Sequence, residues 1–83
     1  MSSVTVDPNV LRSVSGFLVA DARGRVVGRV ERATVTDESP RLTVRGGLPF
    51  RRRRLVPVSA IEEIDTRSGV IALRVERHAL RSL

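Results

Sequence analysis

Apolar and polar residues alternate with the two-residue period of β-strands along most of the chain. The segment 16–35, GFLVADARGRVVGRVERATV, has two such arms around a turn at 21–25 that contains Asp21 and Gly24. Asp is favoured where a turn begins, and Gly supplies positive φ without steric cost. We therefore predict a hairpin, with Phe17 and Val19 on one face of its first arm.

The second arm of this hairpin predicts an irregular strand. Val26, Gly28 and Val30 share one face of a regular strand, whereas Ala33 and Val35 are out of phase with them. A β-bulge near 31–33 restores the phase and bends the strand. Gly28 stands where a buried side chain is expected, which indicates a sharp bend or a second backbone passing close by. A bent strand in a short chain favours a small barrel.

Later segments add strands to the hairpin. Residues 41–45 alternate, with Leu42 and Val44 inward and Arg41, Thr43 and Arg45 outward. Pro57, which donates no backbone hydrogen bond, suits an edge or a bulge of the strand around 55–58. Residues 70–76 form the last predicted strand.

Three segments carry signals of a short helical turn. Asp7 and Pro8 are typical of a helix start, so a turn is expected over 8–13, after a short strand at 4–6. Ile61 and Ile64 lie three residues apart behind a Ser59–Glu62 capping box, which predicts a turn over 59–65. The segment 77–83 is expected to form a frayed turn.

Length and composition limit the fold and the location. The chain has 83 residues and no Cys, so we expect one domain, 1–83, with neither a disulfide nor a thiolate metal site. The fold class is all-β, a small barrel of five to six mostly antiparallel strands with one or two short helical turns. No basic segment leads into an apolar run at the N-terminus, and no apolar run is long enough to span a bilayer. A cytoplasmic protein is expected.

The order of these signals resembles the PRC-barrel family, over residues 13–77, with 1–12 and 78–83 peripheral. The matching features are Asp21 with Gly24 in the first turn, Gly28 before Val30, the Val56–Pro57 step, and Ile61 with Ile64 before Asp65. The family includes the small barrel of the photosynthetic reaction centre H subunit and the C-terminal domain of RimM. Two features depart from the family: four consecutive Arg in the loop 48–54, and a barrel that is predicted to stand alone.

The resemblance implies a non-catalytic module for protein–protein interaction or assembly, often a homodimer. The residues present agree with a protein that is not an enzyme. His78 is the sole His and lies in the predicted tail, and the adjacent Glu62 and Glu63 diverge on any regular element. No glycine opens a long helix, as phosphate-binding loops require. We therefore expect no cofactor and no metal.

Charge points to a candidate interaction surface. The net charge is +6, and every one of the fifteen basic residues is Arg, which favours acidic or polyanionic partners. The candidate surface consists of Arg45, Leu48, Phe50, Arg51, Arg52, Arg53 and Arg54.

The role of these residues has two open interpretations. The Arg run either contacts a polyanion or has a structural role, in which it protects a strand edge or pairs with Asp37, Glu38, Glu62 and Glu63 of this chain or of a second chain. Leu48 and Phe50 either cover a barrel end or form an exposed interface. We predict a homodimer that also binds an unidentified protein. The alternative is a basic accessory protein that binds nucleic acid or a ribonucleoprotein particle through Arg51–Arg54, weakly and non-specifically, because so few aromatic residues are present.

Overall fold

The computed structural model describes residues 8–35, 40–47 and 52–82. A short helix α1 begins the described chain, and two 3-10 turns lie among the strands. The elements are α1 (Pro8–Arg12), β1 (Leu18–Ala20), β2 (Val26–Thr34), β3 (Arg41–Arg45), β4 (Arg53–Pro57), a 3-10 turn (Val58–Ala60), β5 (Ile61–Asp65), β6 (Val70–Leu73), a second 3-10 turn (Arg77–Ala79) and β7 (Arg81–Ser82). The predicted strand at 4–6 and the loop acids Asp37 and Glu38 lie outside the described residues.

The seven strands form one sheet in the order β5-β6-β1-β2-β3-β4-β7. Every neighbouring pair is antiparallel except β1 and β6, which are parallel. The predicted all-β class and mostly antiparallel pairing are confirmed. The strand count exceeds the expected five to six because the chain after the second 3-10 turn adds the two-residue strand β7 to β4.

The sheet curls into a small barrel around one hydrophobic core. Strands β1 to β6 all contribute buried apolar side chains to a single cluster. Leu11 of α1 joins this cluster, and Val10 packs against it, as the predicted helical turn requires. None of the helical segments in the part of the chain that the structure describes could span a bilayer.

Two bulges in β2 decide which of its residues are buried. The predicted bulge lies opposite β3, where the register shifts between Val30 and Arg32. A second, unpredicted shift lies opposite β1: Val19 pairs with Gly28, but Ala20 pairs with Val26. The extra residue reverses the alternation, so Val27 is buried and Val26 is 54% exposed. The prediction that Val26 faces inward was therefore wrong.

The helical turn predicted over 59–65 is also wrong. Ile61–Asp65 is strand β5, and the 3-10 turn ends just before it, at Ala60. The register with β6 shifts between Ile61 and Glu63, so Ile61 pairs with Leu73 and Ile64 with Ile71. This bulge brings two residues three positions apart to the same face, which imitates the spacing of a helix.

Thr43 and Pro57 show how neighbouring strands modify the simple alternation. Thr43 was expected to be exposed, but it is buried because it lies between Arg32 on β2 and Leu55 on β4. Pro57 pairs with β3 on one side of β4, while the recorded pairing with β7 on the other side ends at Leu55. This local edge suits a residue that donates no backbone hydrogen bond.

Candidate interaction surface

Three arginines stand side by side on the outer face of the barrel. The strand register places Arg29 of β2 opposite Arg45 of β3, and Arg45 opposite Arg53 of β4. We call these three residues the arginine row. Like charges in adjacent cross-strand positions repel each other, so an anion beside the row stabilises it.

Glu31 supplies part of that negative charge. Its two carboxylate oxygens accept hydrogen bonds from Arg53, at 2.9 Å from Nε and 3.3 Å from Nη2. Arg45 Nη1 lies 3.9 Å from the same carboxylate. Pairing with Asp37, Glu38, Glu62 and Glu63 was one of the roles considered for the Arg run. Among the described residues Arg53 pairs with Glu31 instead, and the ion pairs of that part of the chain include neither Glu62 nor Glu63. Local alternation gave no reason to choose Glu31, because only the register of β2 against β3 and β4 brings it there.

The Glu31 pairs are expected to contribute little to stability. Arg53 and Arg45 are each about half exposed, and ion pairs at the surface contribute about 0–1 kcal/mol. We predict that Glu31→Gln changes the free energy of unfolding by less than about 1 kcal/mol in urea titrations followed by circular dichroism. A loss of several times that size would show that Glu31 has a structural role in the barrel.

Three further arginines line a depression at one end of the barrel, which we call the arginine pocket. Its volume is about 500 Å³, and its walls are formed by Val26, Val27, Gly46, Gly47, Arg52, Arg54 and Arg77. Arg54 is half-buried and lies opposite Val44 of β3, so it shares the inner face of β4 with Val56. It occupies this face because it lies near the end of the strand, where the pocket opens.

Backbone contacts hold the arginines of this pocket in place. The N–H of Gly46 donates a 2.6 Å hydrogen bond to the Arg52 carbonyl, which ties the two ends of the β3–β4 loop together. The N–H of Arg77 donates to Asp21 Oδ2 at 2.9 Å, and its Nη1 donates to the Val26 carbonyl at 3.4 Å. The first hairpin turn and the second 3-10 turn are therefore joined at the pocket.

Asp21 makes this connection as a buried carboxylate. It is only 5% exposed, and its Oδ1 accepts hydrogen bonds from the backbone N–H groups of Arg23 and Arg25 within its own turn. Desolvation by itself raises the pKa of Asp21. Hydrogen bonds from the N–H groups of Arg77, Arg25 and Arg23, together with the charge of Arg25, lower the pKa by more, so it lies below its ordinary value. The charged form is the one that the fold stabilises.

A second depression, which we call the apolar groove, lies between β4 and the segment 75–81. Its volume is about 450 Å³. The apolar side chains that line it are Pro40, Leu55, Pro57, Ala60, Val75, Ala79 and Leu80. Arg41 and Arg81 border the groove, together with Ser59, and no acidic residue is among its lining residues.

The structure places the described residues of the predicted surface at two different positions. Arg45 and Arg53 lie in the arginine row, whereas Arg52 and Arg54 lie in the arginine pocket, so the run is divided between two faces. Leu48, Phe50 and Arg51 lie outside the described residues. Sequence reasoning missed Arg77 and the apolar groove, because both depend on the position of the last 3-10 turn relative to β4.

Clustered acidic residues and the imidazole of His78 are the groups that metal binding or acid–base chemistry would use. Within 8–35, 40–47 and 52–82, no group of three or more His, Cys, Asp or Glu is placed to hold a metal ion. The His78 side chain is 75% exposed, with Nδ1 3.8 Å from a Glu76 oxygen. This position on the second 3-10 turn is the exposed one that the sequence predicts.

Comparison with known proteins supports the fold. No protein-family model and no curated protein sequence matches the chain. A crystal structure of a Pseudomonas aeruginosa protein described as the 16S ribosomal RNA processing protein RimM superposes with a TM-score of 0.72 at 17% sequence identity. The match covers 93% of this chain and 50% of the RimM chain, so this chain spans half the length of that protein. The barrel fold is thus RimM-like, as the PRC-barrel resemblance predicts.

Proposed function

We propose that this chain is a non-catalytic binding module for macromolecular assembly, which holds a segment of a partner protein in the apolar groove. The groove is the observation that carries the proposal. Its apolar lining provides buried area, and its Arg41 and Arg81 borders, without an acidic lining residue, favour a partner segment that combines apolar and acidic side chains.

The structural neighbour supports the setting of this role. The Pseudomonas aeruginosa protein is described as a 16S ribosomal RNA processing protein, and the match covers half of its chain. A module of the same fold is well suited to act as a docking domain in the processing or assembly of a ribonucleoprotein particle. The partner protein is then a component or a factor of such a particle, and the expected location is the cytoplasm.

Ala79→Glu tests the groove with little risk to the fold. Ala79 is exposed in the second 3-10 turn and lines the groove, so a carboxylate there narrows the groove and repels an acidic partner. Ala22→Glu is the matched control, because Ala22 is also an exposed Ala in a turn but lines none of the described depressions. The native chain and Ala22→Glu are used to capture proteins from a nuclease-treated lysate. We predict that Ala79→Glu captures at least about tenfold less of the same proteins.

The result also separates protein binding from indirect capture. Partners that disappear after nuclease treatment are held through nucleic acid, which contradicts the proposal. Equal capture by Ala79→Glu and Ala22→Glu places the contact outside the groove and contradicts it too.

A second copy of the chain is the other occupant to consider, since a homodimer that buries either the loop 48–50 or the Pro57 edge strand was predicted. The groove borders are basic and the whole chain carries +6, so two copies approach with like charges. Light scattering after size exclusion measures whether a homodimer forms. A 9.1 kDa species at high micromolar concentration contradicts the homodimer, whereas twice that mass supports it.

A further inference from the structure

The arginine pocket concentrates positive charge. Its three guanidinium groups come from the loop before β4, from β4 itself and from the second 3-10 turn, and none of its lining residues is acidic. The ion pairs recorded for the described residues use Arg23, Arg45 and Arg53 instead. The pocket arginines are therefore available to an external anion within the described part of the chain.

We infer that the arginine pocket binds a phosphate group. A guanidinium group donates two parallel N–H bonds to the oxygens of a phosphate, and the positive charges of three arginines that line one depression complement the negative charge of a phosphate. The volume of about 500 Å³ exceeds that of a single phosphate, so the pocket also admits the atoms attached to it. This inference does not depend on the protein-binding role proposed for the apolar groove.

Two of the pocket arginines have their backbones held before any ligand arrives. The Arg77 N–H donates to Asp21 and the Arg52 carbonyl accepts from Gly46, while Arg77 Nη1 lies 3.4 Å from the Val26 carbonyl oxygen. Binding a phosphate then requires ordering of the side chains but not of these backbone segments, which favours affinity. Arg53, the third residue of the Arg run, is excluded because it pairs with Glu31 on the outer face.

Two sources of the phosphate are consistent with this geometry: a small phosphorylated compound and the backbone of RNA. A neighbouring depression, lined by Arg29, Arg45 and Glu31, shares Val26, Gly46 and Gly47 with the arginine pocket. An RNA chain that leaves the pocket can therefore contact Arg29, which makes no ion pair among the described residues, whereas Glu31 pairs with Arg45 and Arg53 there. A small compound occupies the pocket alone.

Isothermal titration with inorganic pyrophosphate and with a short single-stranded RNA tests the inference. Arg54→Gln and Arg77→Gln are each expected to weaken binding by roughly tenfold or more, because each removes charge-assisted hydrogen bonds. Arg67→Gln is the control, since Arg67 is exposed in the β5–β6 turn and lines none of the described depressions. Arg52 lies outside the strands, so Arg52→Gln replaces Arg54→Gln as the test if thermal melting shows that the Arg54→Gln variant does not fold.

The outcomes separate the two sources and expose a failure. Binding of pyrophosphate without RNA binding identifies a small phosphorylated ligand, while RNA binding that pyrophosphate displaces identifies the nucleic-acid backbone. Both support the phosphate site if the pocket variants weaken binding. The inference is overturned if neither probe binds, or if Arg67→Gln weakens binding as much as the pocket variants, because the effect then reflects net charge alone.

Discussion

Replacing Gly28 by Ala is expected to destabilise the barrel by about 4 kcal/mol or more, close to the whole stability of a domain of this size. A Cβ at Gly28 lies 2.6 Å from the carbonyl carbon of Arg45 and 2.9 Å from the Cα of Gly46, with the Arg45 carbonyl oxygen closer still. These are backbone atoms, so no side-chain rotation relieves the overlap. Strands β2 and β3 have to separate at the end that carries Arg45.

Gly47→Ala provides the matched control for this prediction. Gly47 follows Gly46 in the same loop, but a Cβ there meets no atom within 4 Å. The free energy of unfolding of Gly47→Ala is expected to stay within about 0.5 kcal/mol of the value for the native chain. Urea titrations followed by circular dichroism compare the two variants. Equal midpoints for Gly28→Ala and the native chain would falsify the account of the close backbone approach.

Replacing Asp21 by Asn is expected to lower Tm by on the order of 10 °C. The Asn carbonyl oxygen still accepts the N–H groups of Arg23 and Arg25, as Oδ1 does now. The amide NH₂ then faces the Arg77 N–H in place of Oδ2, so a donor meets a donor in a buried position. Loss of this contact releases the second 3-10 turn from the first hairpin turn.

Asp65→Asn separates this effect from the ordinary role of a turn carboxylate. Asp65 Oδ1 accepts the N–H groups of Arg67 and Ser68 in an exposed turn, with no contact to a distant element. Its substitution is expected to lower Tm by less than about 5 °C, because Asn retains the same acceptor. Similar losses for the two variants would mean that the Arg77 contact is not what makes Asp21 important.

The pH dependence of stability follows from the same two carboxylates. The pKa of Asp21 lies below its ordinary value of 3.8, and hydrogen bonds from Ser68 and from the N–H of Arg67 lower the pKa of Asp65. A folded-state pKa below the unfolded value gives stability that is present above pH 3.8 and is lost as the pH falls through the folded value. Tm should therefore fall below about pH 4 in the native chain, and less steeply in Asp21→Asn.

The sequence predicts the parts of the fold that depend on local chemistry. Asp21 and Gly24 specify the first turn because a carboxylate and a glycine satisfy the hydrogen bonds and the φ angles of that turn themselves. A glycine in a buried strand position predicts either a sharp bend or a close backbone neighbour, and at Gly28 the backbone of Arg45 and Gly46 is that neighbour. The alternation of residues 41–45 was enough to place Leu42 and Val44 in the core, where both are fully buried.

The errors come from bulges, which change the period of a strand without changing its composition. One bulge exposes Val26 and buries Val27, and another gives Ile61 and Ile64 the spacing of a helix. Each bulge is fixed by the neighbouring strand, and the sequence does not say which strand that is. The candidate site is limited in the same way. The Arg run could be recognised from the sequence. Its division between two faces, and the position of Arg77 beside Arg52 and Arg54, depend on how distant segments pack together.

The parallel contact between β1 and β6 has a consequence for how the chain reaches its native state. Leu18 pairs with Val70, so β1 obtains one of its two neighbours from a segment about 50 residues later in the chain. During synthesis the N-terminal hairpin leaves the ribosome with that edge unprotected, and it stays so until β6 follows. Such distant pairing slows folding and leaves an interval in which the edge can join a strand of another molecule.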